Sequence, residues 1–153
     1  KQVSFGSQSS TSGHLMPRSF LLQANIEPEK DFKRIAYSGA HDATIASVVS
    51  GKVDAAALDI TVWQKFVTEN KVNTQDVNVF FSTPTYFNYN WSVHADMPVQ
   101  QRDKIKAALL GLNSANPEHA EILKLNRATR YVSTTPENYK GLESAARSAG
   151  LLQ

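Results

Sequence analysis

With 153 residues, the chain is long enough for one domain with a real core, or for one lobe plus part of another. It contains no cysteine, which excludes disulfides, thiol nucleophiles and Cys-based metal sites. Its net charge is +2 with acids and bases well mixed, and it carries no basic block or nucleic-acid motif, so nucleic acid is not an expected partner.

The chain starts at Lys1 rather than Met, which points to a processed or trimmed product. No run resembles a signal peptide or a membrane helix. Val3-Ser4-Phe5 is a short apolar run and reads as the first strand. It leads through Gly6-Ser7-Gln8 into Ser9-Ser10-Thr11-Ser12-Gly13. A helix over about Ser12 to Asn25 then begins, with Pro17 near its first turn, where a proline does least damage. Ile26 to Asp31 is a loop, and Phe32 to Tyr37 alternates weakly as a second strand.

A second helix spans about Ala40 to Ser50, and Gly51 suits the left-handed position after it. Val53 to Leu58 reads as a compact apolar strand. Asp59 caps a third helix reaching about Glu69. Val77-Asn78-Val79-Phe80-Phe81 alternates and reads as a fourth strand. Strands alternating with helices through short loops argue for a layered α/β sheet. Beyond Phe81 the chain turns aromatic and amide-rich, with a candidate strand at Trp91 to His94. Helices follow from Pro98 to about Leu112, from Asn116, and from Thr135-Pro136 to about Ala149, ended by Gly150. This helical tail has no sheet of its own and looks made to cover one supplied elsewhere.

The Ser-rich stretch is the candidate binding site. The first amides of a helix lack internal partners, and the helix dipole places partial positive charge there. Ser9, Ser10, Thr11 and Ser12 add rotatable hydroxyl donors, and Gly13 lets a ligand approach the backbone. Such a start suits a tetrahedral oxyanion such as phosphate. The alternative is a plain N-cap in a polar loop, for which one hydroxyl suffices. It is no P-loop, because the Gly-Lys-[Ser/Thr] ending is absent.

His41, at a helix start, is either a solvated or capping histidine or a neutral donor to an anion oxygen. Asp59 is either a plain N-cap or an acceptor for a protonated ligand oxygen. Ligands of open α/β sheets sit outside the carboxyl ends of the strands, so the Ser-Thr-Ser loop, His41 and Asp59 could face one crevice. Tyr86, Phe87, Tyr89 and Trp91 wall a pocket or fill a core, with Tyr89 and Trp91 on one side. His14, His94 and His119 lack metal-ligand spacing and read as structural or surface residues. No metal, cofactor or activated nucleophile is expected, and the chain does not read as an enzyme.

Ser10-Thr11-Ser12-Gly13-His14-Leu15-Met16-Pro17 resembles the Ser-Thr-Ser-Gly-x-x-x-Pro signature of the phosphonate/phosphite/phosphate-binding proteins of ABC transporters. The resemblance continues through Tyr37 to Ala43 and through Val49 to Ala56, and covers nearly the whole chain. It implies an α/β, type II periplasmic binding protein-like fold, in which two lobes close on ligand. Residues 1–85 would be one three-layer α/β/α lobe, lobe two. Residues 86–153 would be the hinge crossing and the helical C-terminal part of lobe one, whose N-terminal part is absent. With that part absent, an exposed sheet edge leaves the fragment open to dimerisation or element swapping.

By the same resemblance, Ser10, Thr11 and Ser12 hold the oxyanion and His41 donates to it. Thr61 and Tyr89 stand where binders of aminoalkylphosphonates place carboxylates. A cationic amine would lose its partners there, so phosphite, phosphate or a small alkylphosphonate is the expected ligand. The implied partner is an ABC permease. The implied location is periplasmic or extracytoplasmic, with a lipid anchor possible in the full-length protein. Two other readings stay open. One is a ligand-sensing input domain of the same fold in a signalling protein. The other is an enzyme such as a thiamin-precursor synthase-like protein, which needs a cofactor lysine or metal histidine cluster not seen here.

Overall fold

The computed structural model describes residues 1–152. Gln153, the last residue of the expected segment 86–153, lies outside the described residues. The chain divides into two compact units, Lys1–Asn88 with the stretch from Glu137 onward, and Tyr89–Pro136.

The first unit is built on a parallel sheet of order β2-β1-β3. Its strands are β1 (Gln2–Phe5), β2 (Arg34–Tyr37) and β3 (Ala55–Ala56). The central strand pairs Val3 with Ile35 and Phe5 with Tyr37 on one side, and Val3 with Ala55 on the other. In a parallel sheet the crossover helices cover both faces, so a central strand reads as a short buried run rather than an alternating one. Val3, Ser4 and Phe5 are accordingly all buried, with Phe5 at 0% exposure.

A π-helical turn (Thr11–Leu15) runs into α1 (Met16–Gln23), and α2 (Pro28–Asp31) is a single turn within the expected loop. The helix α3 (His41–Val49) links β2 to β3, and α4 (Ile60–Thr68) follows β3. Gly51 takes φ +70 after α3, the left-handed exit that needs no Cβ. Asp59 caps α4, as the sequence suggests, by accepting from the Thr61 amide at 2.8 Å.

Three strand expectations need correction. The stretch Val53–Leu58 shortens to the two residues of β3. Residues 77–81 and 91–94 form no strand. Alternating side chains make a strand only where an edge supplies hydrogen bonds, and Phe80 and Phe81 stand 79% and 60% exposed instead.

A 3-10 turn (Pro136–Tyr139) leads into α7 (Lys140–Ser148). This helix packs back on the first unit. Ala145 and Ala146 bury against Leu15 and Met16, with Phe20, Tyr86 and Leu142 around them. The sequence had grouped this helix with everything after residue 85. Its small alanines let it lie close to the start of α1, beside the place where the Ser-rich loop enters that helix.

The second unit carries α5 (Val99–Leu110) and α6 (Pro117–Leu125). Asn116 caps α6 by accepting from the Glu118 amide at 2.9 Å. Leu123 is fully buried, whereas α5 buries no residue.

Candidate functional site

Because the three strands are parallel, the loops after Phe5, Tyr37 and Ala56 all leave the same end of the sheet. Those loops carry the Ser-rich stretch, His41 and Asp59. Their backbones are tied together there. The Gly39 amide donates to Gly6 O at 3.1 Å, and the Ala57 amide donates to Ser4 O at 3.0 Å.

Ser10 is the N-cap of the π turn, in extended conformation, and its Oγ accepts from the Gly13 amide at 3.0 Å. Its carbonyl accepts from both His14 N at 3.1 Å and Leu15 N at 2.9 Å. The second of these spans five residues and widens the turn, a feature frequent at functional sites. Ser10 thus engages the amides of Gly13 and His14. The amides of Thr11 and Ser12 occupy the first two helical positions, where no intrahelical acceptor exists. An oxygen that accepts one bond keeps its own proton to donate, so the Ser10 hydroxyl remains a donor. Ser10→Ala is expected to cost about 1 kcal/mol of stability, read as a lower urea midpoint of the full-length protein. An unchanged midpoint would show that the cap carries no weight.

Gly13 is where the chain segments meet. The Gly6 amide donates to Gly13 O at 2.8 Å. A Cβ on Gly13 would lie 2.9 Å from Ser10 Oγ, 3.2 Å from Gly6 Cα and 3.2 Å from His41 Cε1. The strand end, the helix start and the imidazole of His41 are therefore packed with no room for a methyl group.

His41 Nδ1 accepts from the Asp59 amide at 3.4 Å. That bond places the neutral imidazole's proton on Nε2, making the far nitrogen a donor. Asp59 Oδ1 accepts from both the Thr61 amide and the Thr61 hydroxyl, at 2.8 and 2.6 Å. Burial pushes the Asp59 carboxyl up. The Thr61 hydroxyl, the amides of Thr61 and Val62, and nearby His41 outweigh it and hold the group below its ordinary value.

Of the expected site residues, Ser10, Gly13, His41 and Asp59 come together directly. Thr11 and Ser12 adjoin them at the helix start, with Ser12 buried and Thr11 half-buried, while Ser9 is exposed. Tyr89 belongs to the second unit and is 80% exposed there.

Two supporting groups were not singled out from sequence. Gly6 receives the close approach of Gly13. Ser38 donates to Phe5 O at 3.1 Å and pairs with the buried Thr44 hydroxyl, fixing the turn that delivers His41. Neither is signalled by composition, because each acts through a contact distant in sequence.

Below the loop lies a second cluster. Arg18 donates through both terminal nitrogens to Glu29 at 2.7 Å. That fork holds the Glu29 carboxyl below its usual range. Arg18 Nε is buried without a hydrogen-bond partner.

The fold and site define an α/β ligand-binding module, with donors gathered at the carboxyl end of a parallel sheet. Over residues 1–139 the chain matches the model of the family described as ABC transporter, phosphonate, periplasmic substrate-binding protein, and it belongs to that family. The family consists of substrate-binding proteins, not enzymes.

The chain is 37% identical over 152 residues to the probable ABC transporter phosphite binding protein PhnD1 of Prochlorococcus marinus (strain MIT 9301), covering 95% of this chain and 51% of the relative. It also superposes on the crystal structure of PhnD1 from that organism in complex with methylphosphonate. There the TM-score is 0.85 and the identity 35%, over 99% of this chain and 57% of the other. This likeness establishes the type II periplasmic binding protein-like fold. The chain spans about half the length of the curated relative it matches.

Proposed function

We propose that this chain is the ligand-binding segment of a solute-binding protein that delivers a phosphorus oxyanion to an ABC permease. The observation that carries the reading is the convergence of donors at the start of the π turn. The open amides of Thr11 and Ser12, the Ser10 and Thr11 hydroxyls and His41 Nε2 together suit three or four oxygens around one phosphorus. Family membership and the methylphosphonate complex of PhnD1 support the same ligand class. Capture takes place outside the cytoplasm, with the full-length protein diffusing freely or held by a lipid anchor.

On this reading residues 1–85 are one lobe, with α7 docked against it. The following chain is the hinge crossing and return to the other lobe. Asp59 accepts a hydrogen bond from a protonated ligand oxygen, so a carboxylate beside an anion is tolerated. Thr61 and Tyr89 stand where binders of aminoalkylphosphonates place carboxylates, so an ammonium group would lack its partners there. The ligand is therefore phosphite, phosphate or a small alkylphosphonate, and not an aminoalkylphosphonate.

The test is a thermal-shift and calorimetry panel on the full-length protein with phosphite, phosphate, methylphosphonate, 2-aminoethylphosphonate and sulfate. Ligand at a hundred times its Kd stabilises by about 2.7 kcal/mol. A clear shift with at least one amine-free phosphorus oxyanion, lost in Thr11→Ala, is expected. Tightest binding of 2-aminoethylphosphonate would overturn the amine-free assignment. No shift with any of the five would overturn the binding reading.

A further inference from the structure

We propose that His14 is the positioning residue of the binding loop: its buried imidazole grips the Gln8 carbonyl and so sets the path of Ser7 to Ser10 into the helix start. The inference rests on the oxyanion-binding reading of that loop.

His14 is 4% exposed, which puts its ring beneath the loop rather than against a ligand. Its Nδ1 lies 2.6 Å from Gln8 O. A carbonyl only accepts, so Nδ1 carries the proton and Nε2 is left as an acceptor in the neutral ring. The Tyr37 hydroxyl completes the arrangement by donating to Nε2 at 3.2 Å. Both imidazole nitrogens are thus used, and the Tyr37 hydroxyl suits the tautomer that the Gln8 carbonyl fixes.

The ring is also braced. Phe5 lies 4.8 Å from it, centroid to centroid, and Tyr37 meets it edge-on at 5.0 Å. Phe5 and Tyr37 are register partners at the end of β1 and β2. The carboxyl end of the sheet therefore sets the imidazole, and the imidazole sets the loop.

The loop needs such a tie. Gln8 and Ser9 are exposed at its crown. Other fastenings of the loop, among them Ser10 N to Ser7 O at 3.1 Å, Gly6 N to Gly13 O at 2.8 Å and Gly13 N to Ser10 Oγ at 3.0 Å, do not engage the Gln8 carbonyl. The bond from His14 reaches the crown from the interior, spanning six residues. It thereby limits the directions in which the Ser10 and Thr11 hydroxyls point.

The charged and titratable groups near the ring are Tyr37, Arg18 and Glu29, and Arg18 is neutralised by its fork to Glu29. Burial is what chiefly holds the His14 imidazole below its ordinary value, which favours the neutral ring that the two hydrogen bonds use.

Two variants of the full-length protein separate a positioning role from simple packing. In His14→Asn the amide nitrogen falls where Nδ1 stood and retains the donor to Gln8 O. In His14→Gln the nitrogen falls near the Nε2 position, and Gln8 O loses its partner. Amide hydrogen exchange without ligand and methylphosphonate calorimetry are read together. His14→Gln is expected to speed exchange at Ser10 and Gly13 and to weaken binding about tenfold. His14→Asn is expected to stay within about threefold of the parent in both. Parent-like exchange and affinity in His14→Gln would overturn the proposal, as would equal losses in the two variants. If His14→Gln fails to fold, His14→Asn decides alone, since deprotected loop amides there overturn the role and protected ones support it. Failure of the parent itself to bind methylphosphonate strikes the oxyanion reading, while the exchange comparison still judges the loop.

Discussion

Gly13→Val in the full-length protein is expected to weaken oxyanion binding at least about a hundredfold and to lower stability by about 1–3 kcal/mol. The first heavy atom of any side chain at this position would sit 2.9 Å from Ser10 Oγ and 3.2 Å from both Gly6 Cα and His41 Cε1. Ser10 could rotate away, but its cap bond to Gly13 N would be lost with it. Gly6 Cα is backbone and cannot yield without shifting the end of β1. His41 would move off the Asp59 amide that fixes its tautomer. One added group therefore disturbs the cap, the strand end and the imidazole together. Methylphosphonate calorimetry and urea unfolding check this. Parent-like affinity in Gly13→Val would mean that the loop, the strand end and His41 are not packed as described.

The largest loss of stability is expected at Phe5. Phe5→Ala should cost about 3–5 kcal/mol, the range for removing a buried aromatic ring. Phe5 is wholly buried at the end of the central strand. Its ring lies against the rings of both His14 and Tyr37, at centroid distances of 4.8 and 5.9 Å. The cavity would open directly under the binding loop, so affinity should fall along with the urea midpoint. A loss under about 1 kcal/mol would show that the site has collapsed to fill the space, or that Phe5 does not anchor the sheet.

Local chemistry made much of this fold legible in the sequence. Asp59 and Asn116 announce helix starts because their short side chains accept from amides two residues on. Gly51 and Gly150 announce helix ends because both take positive φ. The parallel order of strand, loop and helix is itself enough to carry Ser10, His41 and Asp59 on loops at one end of the sheet.

Features set by distant partners were not legible. Val77 to Phe81 has the alternation of a strand, but alternation says nothing about whether an edge is there to pair with it. Ala145 and Ala146 mark one face of α7 as suited to close packing without saying which helix it meets. His14 looked like one of several scattered histidines. Its role depends on Gln8 and Tyr37, and the latter is 23 residues away. No spacing rule connects those three.

The widened turn at Thr11–Leu15 also bears on which changes in chain length the protein can accept. Each residue of a helix advances the next side chain by about 100° around the axis. If the first turn kept its five-residue span, removing one residue between Ser10 and Leu15 would swing everything after it by that angle. Met16 and Phe20 would then face away from Ala145 and Ala146, against which they now pack. Adding one would turn them the other way. The number of residues in the binding motif is thus dictated twice, by the donors at one end and by the helix seam at the other. An insertion or deletion there would have to be matched by a second change in register further along α1.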